Sequence, residues 1–301
     1  MRTTEQKMLN LSGYADYSET LIDSAGTKIA LSIYKSNKDA PCVIFLPGTM
    51  THPLFYDDFL TALAERDFNV IGVHFLSHGK SPRDRKAYTF DDMVQNVEDT
   101  ISFCLDHFNS NPILMGSSQG GILSMAVAAK DSRIKAVFAH NLLLPALKES
   151  ISITNFPGFL RLFYGVFPPF MKCLARVMPG LQVPITAYLD FDRVTSSQEI
   201  QEGFYRDPIG LTSYPLCFLA SLFTADLEGI TDGSIKCPVA VIASKGDPLF
   251  SFDYCSTVFE KIAAPKKEMI VFDEPCHLIL NECVDKVIDP IVEGLKRYSR
   301  K

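Results

Sequence analysis

Pro112-Ile113-Leu114-Met115-Gly116-Ser117-Ser118-Gln119-Gly120-Gly121 is the stretch whose reading decides the fold. An apolar run short enough for a buried strand passes straight into Gly-x-Ser-x-Gly, and a helical pattern follows from Gly121 to Lys130. Strand, tight turn with a serine at its apex, then helix is the layout of a nucleophile elbow, which lifts the serine hydroxyl to the edge of a sheet. Gly116 and Gly120 flank Ser118, where a larger side chain would collide with the neighbouring strand and helix. A bare Gly-x-Ser-x-Gly is common; the strand before it and the helix after it give it meaning.

Outward from this stretch the same alternation repeats. Cys42–Leu46 is an apolar run closed by Pro47-Gly48, and Val70–Val73 is another. Between them Tyr56 to Glu65 has helical spacing. Thr89-x-x-Asp92 forms a capping box, and Val94, Val97, Ile101, Cys104 and Phe108 then share one helical face. Strands are expected at Ile134–Ala139, Val239–Ala243 and Met269–Phe272, with a helix near Asp253 to Ile262. Asp289-Pro290 reads as the opening of the final helix. Tyr17–Ile22 and Ile29–Tyr34 flank the turn signal Asp23–Gly26 and predict an N-terminal hairpin. The fold class is therefore α/β, a doubly wound and mostly parallel sheet with an antiparallel N-terminal hairpin. From Pro145 to Thr212 the rhythm breaks into a Phe-, Leu- and Pro-rich region with no visible strand. This region is expected to be a helical cap (145–212) inserted into a core made of residues 1–144 and 213–301.

At 301 residues, 47% of them hydrophobic and 21% charged, the chain can bury the core of one large domain. A net charge of −6 argues against nucleic acid as partner. The basic clusters Lys80/Arg83/Arg85/Lys86 and Lys296/Arg297/Arg300/Lys301 read as a solvated loop and a helix C-terminus. Eight scattered cysteines and a polar Met1–Gly13 stretch predict free thiols and a cytoplasmic location. No apolar run approaches the ~20 residues of a membrane span. No zinc-ligand spacing and no phosphate-binding Gly-rich loop appears, so neither metal nor cofactor is expected.

If Ser118 is a nucleophile, it needs a base and an orienting acid, expected in the order serine, acid, histidine. Asp247 lies in the loop after the Val239–Ala243 strand, and His277 in the loop after Met269–Phe272. Groups at the carboxyl ends of strands in such sheets meet at the ligand site. Asp253 and Asp273 are close enough in sequence to serve as the acid instead. His52, His74, His78, His107 and His140 compete with His277, but none follows the last strand; His52 and His140 are expected to line the pocket. Cys276, beside the base, reads as a small apolar filler. A neutral imidazole would take the serine proton during attack and return it to the leaving group, while the acid fixes its tautomer.

Gly116-Ser117-Ser118-Gln119-Gly120, Gly246-Asp247-Pro248 and His277, with Leu46-Pro47-Gly48-Thr49 upstream, resemble the α/β-hydrolase superfamily. Phe204-Tyr205-Arg206-Asp207-Pro208-Ile209 is similar to an Asn-Asp-Pro-Leu-type segment of its lysophospholipase and monoacylglycerol lipase branch. The resemblance implies Ser118 as nucleophile, Asp247 as acid and His277 as base. It implies an oxyanion hole from the backbone N–H of Gln119 with that of Thr49, or of Met50 if the loop turns one residue later. Two departures stand out: Pro47-Gly48 replaces the family's His-Gly, and His74 replaces the Asp of an Asp-x-x-Gly-x-Gly-x-Ser segment.

The expected activity is hydrolysis of a carboxylic ester through an acyl-enzyme, with a small-molecule, apolar-acyl substrate of lysophospholipid or monoacylglycerol type. The same three residues could serve a thioesterase, acyltransferase, carbon–carbon hydrolase or aminopeptidase. The last would need Asp190, Asp192 and Glu199 to hold an ammonium group. A non-catalytic small-molecule receptor is the alternative of another class. Phe156 to Met178 is expected to roof the pocket or pack on the core; its second reading is a membrane-docking surface with Arg161, Lys172 and Arg176 as interfacial cations.

Overall fold

Strands buried on both faces read as unbroken apolar runs, and such runs set the register of this sheet. On Cys42–Leu46, Cys42, Ile44 and Leu46 enter one core while Val43 and Phe45 enter the other. The computed structural model describes residues 11–108, 111–163 and 165–299. Arg300 and Lys301 of the C-terminal basic cluster, and most of the polar Met1–Gly13 stretch, lie outside the described residues.

The chain begins with β1 (Tyr17–Ser24), β2 (Thr27–Tyr34), β3 (Cys42–Leu46), α1 (Asp57–Ala64) and β4 (Asn69–His74). It continues through α2 (Phe90–Phe108), β5 (Ile113–Ser117), α3 (Gln119–Ala128) and β6 (Ala136–His140). An insertion follows with α4 (Phe167–Val177), β7 (Gln182–Pro184), α5 (Phe191–Val194), α6 (Gln198–Arg206), β8 (Ser213–Pro215) and α7 (Leu216–Phe223). The chain returns to the sheet with β9 (Val239–Ser244), α8 (Phe252–Lys261), β10 (Lys267–Phe272), α9 (Ile279–Glu282) and α10 (Val284–Ser299).

The main sheet runs β1-β2-β4-β3-β5-β6-β9-β10. β2 is antiparallel to both β1 and β4, and every pairing from β4 to β10 is parallel. The first hairpin turns through Ala25 and Gly26 at φ 49° and 75°, the backbone a two-residue loop requires. Helices α2, α3 and α8 cover one face through residues such as Val97, Ile122 and Val258, and α1 and α10 cover the other through Phe59 and Ile291. The capping box forms: Thr89 N–H donates to Asp92 Oδ2 at 2.7 Å and Asp92 N–H to Thr89 Oγ1 at 3.3 Å. Among the described residues no helix is long and apolar enough to cross a membrane.

Two sequence expectations are corrected. Asp289-Pro290 does not open the last helix, which begins at Val284 and carries Pro290 inside it. Val287, Ile288, Ile291, Val292 and Leu295 keep one buried stripe running past the proline, which itself faces solvent. Packing of that stripe outweighs the loss of one backbone bond. The cap is also not wholly helical, since β7 within it pairs antiparallel with β8 just beyond it, Val183 lying opposite Tyr214. Three-residue strands ending in Pro184 and Pro215 carry too little alternation to be read from sequence.

His74, at the end of β4, hydrogen-bonds both the turn that follows it and the neighbouring strand β2. Its Nδ1 accepts the Lys80 N–H at 3.1 Å and its Nε2 lies 2.9 Å from Ser32 Oγ. His78 Nδ1 donates to Leu76 O at 2.7 Å, and its Nε2 meets Tyr214 Oη at 3.1 Å. Burial, aided by neighbouring cations and imidazoles, pushes His74 well below its usual range and His78 down to about 4. The unfolded chain takes up these protons below about pH 6.5 while the folded chain refuses them, so this stability is complete above that pH and lost on acidification. As pH falls from 6.5 to 5, each of the two histidines is expected to remove unfolding free energy with a slope that steepens toward about 1.4 kcal/mol per pH unit. Denaturant titrations across that window check this, and a His78→Gln variant should show a shallower slope; a pH-independent midpoint would contradict it.

Candidate active site

The turn between β5 and α3 places Ser118 at φ 51° and ψ −110°. Such a conformation is strained for a side-chain-bearing residue and persists only where the surroundings impose it. The surroundings here are backbone. A Cβ on Gly116 would lie 2.0 Å from Gly120 O, and one on Gly120 would lie 2.0 Å from Leu46 O. Ser118 N–H donates to His140 O at 2.7 Å, tying the turn to β6.

Asp247 and His277 come together as their positions after β9 and β10 imply. His277 Nδ1 donates to Asp247 Oδ2 at 2.9 Å, with the two side chains 4% and 0% exposed. Asp247 Oδ1 accepts the N–H groups of Leu249 and Phe250 at 2.7 and 2.9 Å. Phe250 stacks on the His277 ring at 5.4 Å. Burial raises the Asp247 pKa, but the charge and hydrogen bond of His277 and the backbone donors outweigh it, and the carboxyl stays below its usual range. The rival acids are elsewhere: Asp273 pairs with Lys245 at 2.9 Å on the surface, and Asp253 is exposed in the first turn of α8. Ser118 and His277 line the same cavity.

The loop after β3 is shaped by two tyrosines, Tyr188 and Tyr214, that no sequence pattern singles out. Met50, at φ 68°, donates its N–H to Tyr214 Oη at 2.9 Å. Thr49 Oγ1 donates to Gln119 Oε1 at 3.2 Å and lies 3.3 Å from Tyr188 Oη. Gln119 is the first residue of α3, so its N–H has no acceptor within the helix. The Thr49 N–H has no backbone partner among the described residues. Of the two candidate donors on this loop, Met50 is thus engaged and Thr49 is not. His52, on the same loop, meets Asp207 of the insertion at 2.6 Å and holds that carboxyl low against the upward push of its burial. His140 sits beside the pair, its ring 5.8 Å from that of His277, while His107 is exposed at the end of α2.

The cavity at Ser118 and His277 is walled by Leu189, Phe191, Val194 and Phe204 of the insertion, with Leu249, Leu278 and the Gly48–Thr51 loop. It measures about 30 Å³, room for one or two waters. No carboxylate is among its wall residues. Asp190 Oδ1 caps α5 by accepting the Asp192 N–H at 3.1 Å, and Asp192 and Glu199 are exposed. Among the described residues no group of His, Cys, Asp and Glu is placed to hold a metal ion.

Residues 37–284 match the model of the family described as "Serine aminopeptidase, S33". The chain belongs to this family. As a member it is a serine hydrolase of the α/β-hydrolase fold. A monoacylglycerol lipase from Paleococcus ferrophilus superposes with TM-score 0.73 at 21% identity over 90% of this chain and 99% of its own. A monoglyceride lipase from Saccharomyces cerevisiae, solved with a substrate analogue, gives TM-score 0.73 at 14% identity over 96% and 98%. A putative non-heme haloperoxidase of Mycobacterium phage D29 is 30% identical over 112 residues, which span 37% of this chain and 38% of that relative.

The backbone contacts at the serine turn predict the outcome of small substitutions. Gly116→Ala and Gly120→Ala are each expected to cost at least about 3 kcal/mol or to prevent folding. Gly203→Ala, in α6 with nothing near its added Cβ, should be neutral or stabilising by up to about 1 kcal/mol. Urea unfolding of the three variants checks this; wild-type stability in Gly120→Ala would mean that α3 does not approach β3 as described.

Proposed function

We propose that this serine hydrolase cleaves carboxylic esters with an apolar acyl chain, of monoacylglycerol or lysophospholipid type, through an acyl-enzyme. The observation that carries the reading is the wall of Leu189, Phe191, Val194, Phe204, Leu249 and Leu278 facing Ser118, with no carboxylate in it. An aminopeptidase substrate brings an ammonium group that such a wall would leave unpaired. Residues 145–212 act as a cap that supplies most of this wall. All eight cysteines are thiols, which suits a reducing, cytoplasmic compartment.

In this mechanism Ser118 Oγ attacks the ester carbonyl as His277 Nε2 takes its proton. The carbonyl oxygen becomes an oxyanion held by the N–H groups of Gln119 and Thr49. Preorganised donors of this kind contribute roughly 3–4 kcal/mol each to the transition state. Asp247 keeps the proton on Nδ1 and stabilises the imidazolium. His277 then protonates the departing alkoxide, and a water activated by the same imidazole releases the acid. Ser118→Ala and His277→Gln are expected to lower kcat for p-nitrophenyl esters by about 10⁴-fold or more. Turnover should rise from acetate to medium-chain esters. Full activity in Ser118→Ala, or faster turnover of aminoacyl anilides than of esters, would sink the reading. A fluorophosphonate that leaves Ser118 unlabelled while an apolar ligand binds tightly would favour a receptor.

A second reading of the cap rests on its outer side. Phe159, Leu162, Phe163, Val166 and Phe170 are 61%, 84%, 58%, 67% and 61% exposed, and Lys172 and Arg176 are exposed beside them. Arg161, grouped with these cations at the sequence level, has its side chain outside the described part of the structure. Apolar residues beside cations suit an anionic lipid surface, where the apolar groups enter the headgroup boundary. Wild-type protein is expected to cosediment with phosphatidylglycerol vesicles, and a Leu162→Asp/Phe163→Asp variant to stay in the supernatant. Equal sedimentation of both would remove this reading and leave the hydrolase reading intact.

A further inference from the structure

Asn141, at the end of β6, holds the left-handed conformation at φ 55°, which asparagine tolerates better than most side-chain-bearing residues. Its N–H donates to Ile242 O at 3.2 Å, so β9 fixes its backbone. Its side chain is fully buried. Nδ2 lies 2.6 Å from Asp247 Oδ2, 2.8 Å from His140 Nε2 and 3.2 Å from His277 Nδ1. His277 Nδ1 already donates to Asp247 Oδ2 and is no acceptor, so the two amide hydrogens go to Asp247 and His140. The Cys255 thiol, 3.7 Å from Asn141 Oδ1, agrees with this orientation of the amide. His140, used from Nε2 by the amide, donates from Nδ1 to Ser117 Oγ at 3.1 Å. Burial and the neighbouring His277 push His140 down to about 3, so it accepts the amide hydrogen as a neutral ring.

We infer that Asn141 is a positioning residue of the hydrolytic site: its amide shares Asp247 Oδ2 with His277 and locks the carboxylate against β6. The inference rests on the ester-hydrolase reading of Ser118, Asp247 and His277. A carboxylate oxygen that accepts two donors divides its charge between them. With the amide in place, Asp247 orients the imidazole through a carboxylate oxygen whose charge is shared between two donors. Without it, Oδ2 serves His277 alone and the carboxylate loses a fixed anchor. The other titratable groups around the pair are His140, Glu282 on α9, Cys255 on α8 and Cys276 beside His277. Of these, His140 and Cys255 touch the Asn141 amide and lose that contact in the test, while Glu282 and Cys276 are left as they are.

The variants are Asn141→Gly, which permits the same backbone, and Asn141→Ala, which removes the same amide with more strain at positive φ. Active protein is counted by fluorophosphonate labelling, so a misfolded fraction does not enter kcat. Both variants are expected to lose about tenfold in kcat, the scale of one charge-assisted hydrogen bond. KM should stay within about twofold, because the amide touches no substrate. The acid limb of kcat/KM should move upward by about half a pH unit in both. A merely structural role would move neither the limb nor kcat per labelled enzyme. A wild-type kcat and limb in Asn141→Gly, with Ser118→Ala inactive, overturns the role of Asn141 alone. Activity surviving in Ser118→Ala overturns the hydrolase reading itself.

Discussion

The functional end of this molecule depends on one close backbone approach. Helix α3 meets β5 and β3 at Gly116 and Gly120 with no room for a single carbon, since an added Cβ at either would lie 2.0 Å from a carbonyl oxygen. That approach forces the chain to reverse within the turn, and Ser118 takes the strain at φ 51°. It also brings the first N–H of α3, on Gln119, to the sheet edge without an intrahelical acceptor. A helix start so placed carries a partial positive charge where the proposed chemistry develops a negative one.

Strand order then distributes the rest. β3, β5, β6, β9 and β10 are consecutive in the sheet, and the chain leaves each at the same edge because all are parallel. The loop after β3 brings Thr49, the turn after β5 Ser118, the end of β6 His140 and Asn141, the loop after β9 Asp247, and the loop after β10 His277. These groups form a polar row five strands wide at one edge of the sheet. The row is stable because its members satisfy one another: Ser117, His140, Asn141, Asp247 and His277 form a continuous chain of hydrogen bonds. In a buried place an unpaired member would cost more than the net worth of any one bond.

This arrangement explains which parts were legible in the sequence. Strands buried on both faces announce themselves as apolar runs, so the core sheet could be read, and with it the loops bearing Ser118, Asp247 and His277. Asn141 could not be read as a partner of Asp247, because the contact joins two strands about a hundred residues apart, and a lone Asn at a strand end carries no pattern. Tyr188 and Tyr214 were hidden for a related reason. They shape the loop after β3 from within the insertion, whose short helices and three-residue strands follow no period. Pro290 misled because a local rule for helix starts competes with the stripe Val287–Leu295, and burial of the stripe prevails. His74, a departure from the family pattern, ties the turn after β4 to Lys80 N–H and to Ser32 on β2.

The same insertion supplies one wall of the cavity beside Ser118. At about 30 Å³ the space beside Ser118 cannot hold an acyl chain, so the proposed function requires the wall of Leu189, Phe191, Val194 and Phe204 to move outward. Moving it exposes apolar side chains, at roughly 25 cal/mol per Å², and loosens the His52–Asp207, Met50–Tyr214 and Thr49–Tyr188 contacts that hold the oxyanion loop. A long apolar chain covers the uncovered side chains as it enters and offsets the first cost; a short polar ester does not. Closure behind the bound chain then restores the tyrosine contacts and returns Thr49 to its place beside Gln119. On the proposed ester-hydrolase reading, acyl length and the geometry of the loop after β3 are thereby coupled through this wall, and a preference for apolar esters follows from the cost of opening it.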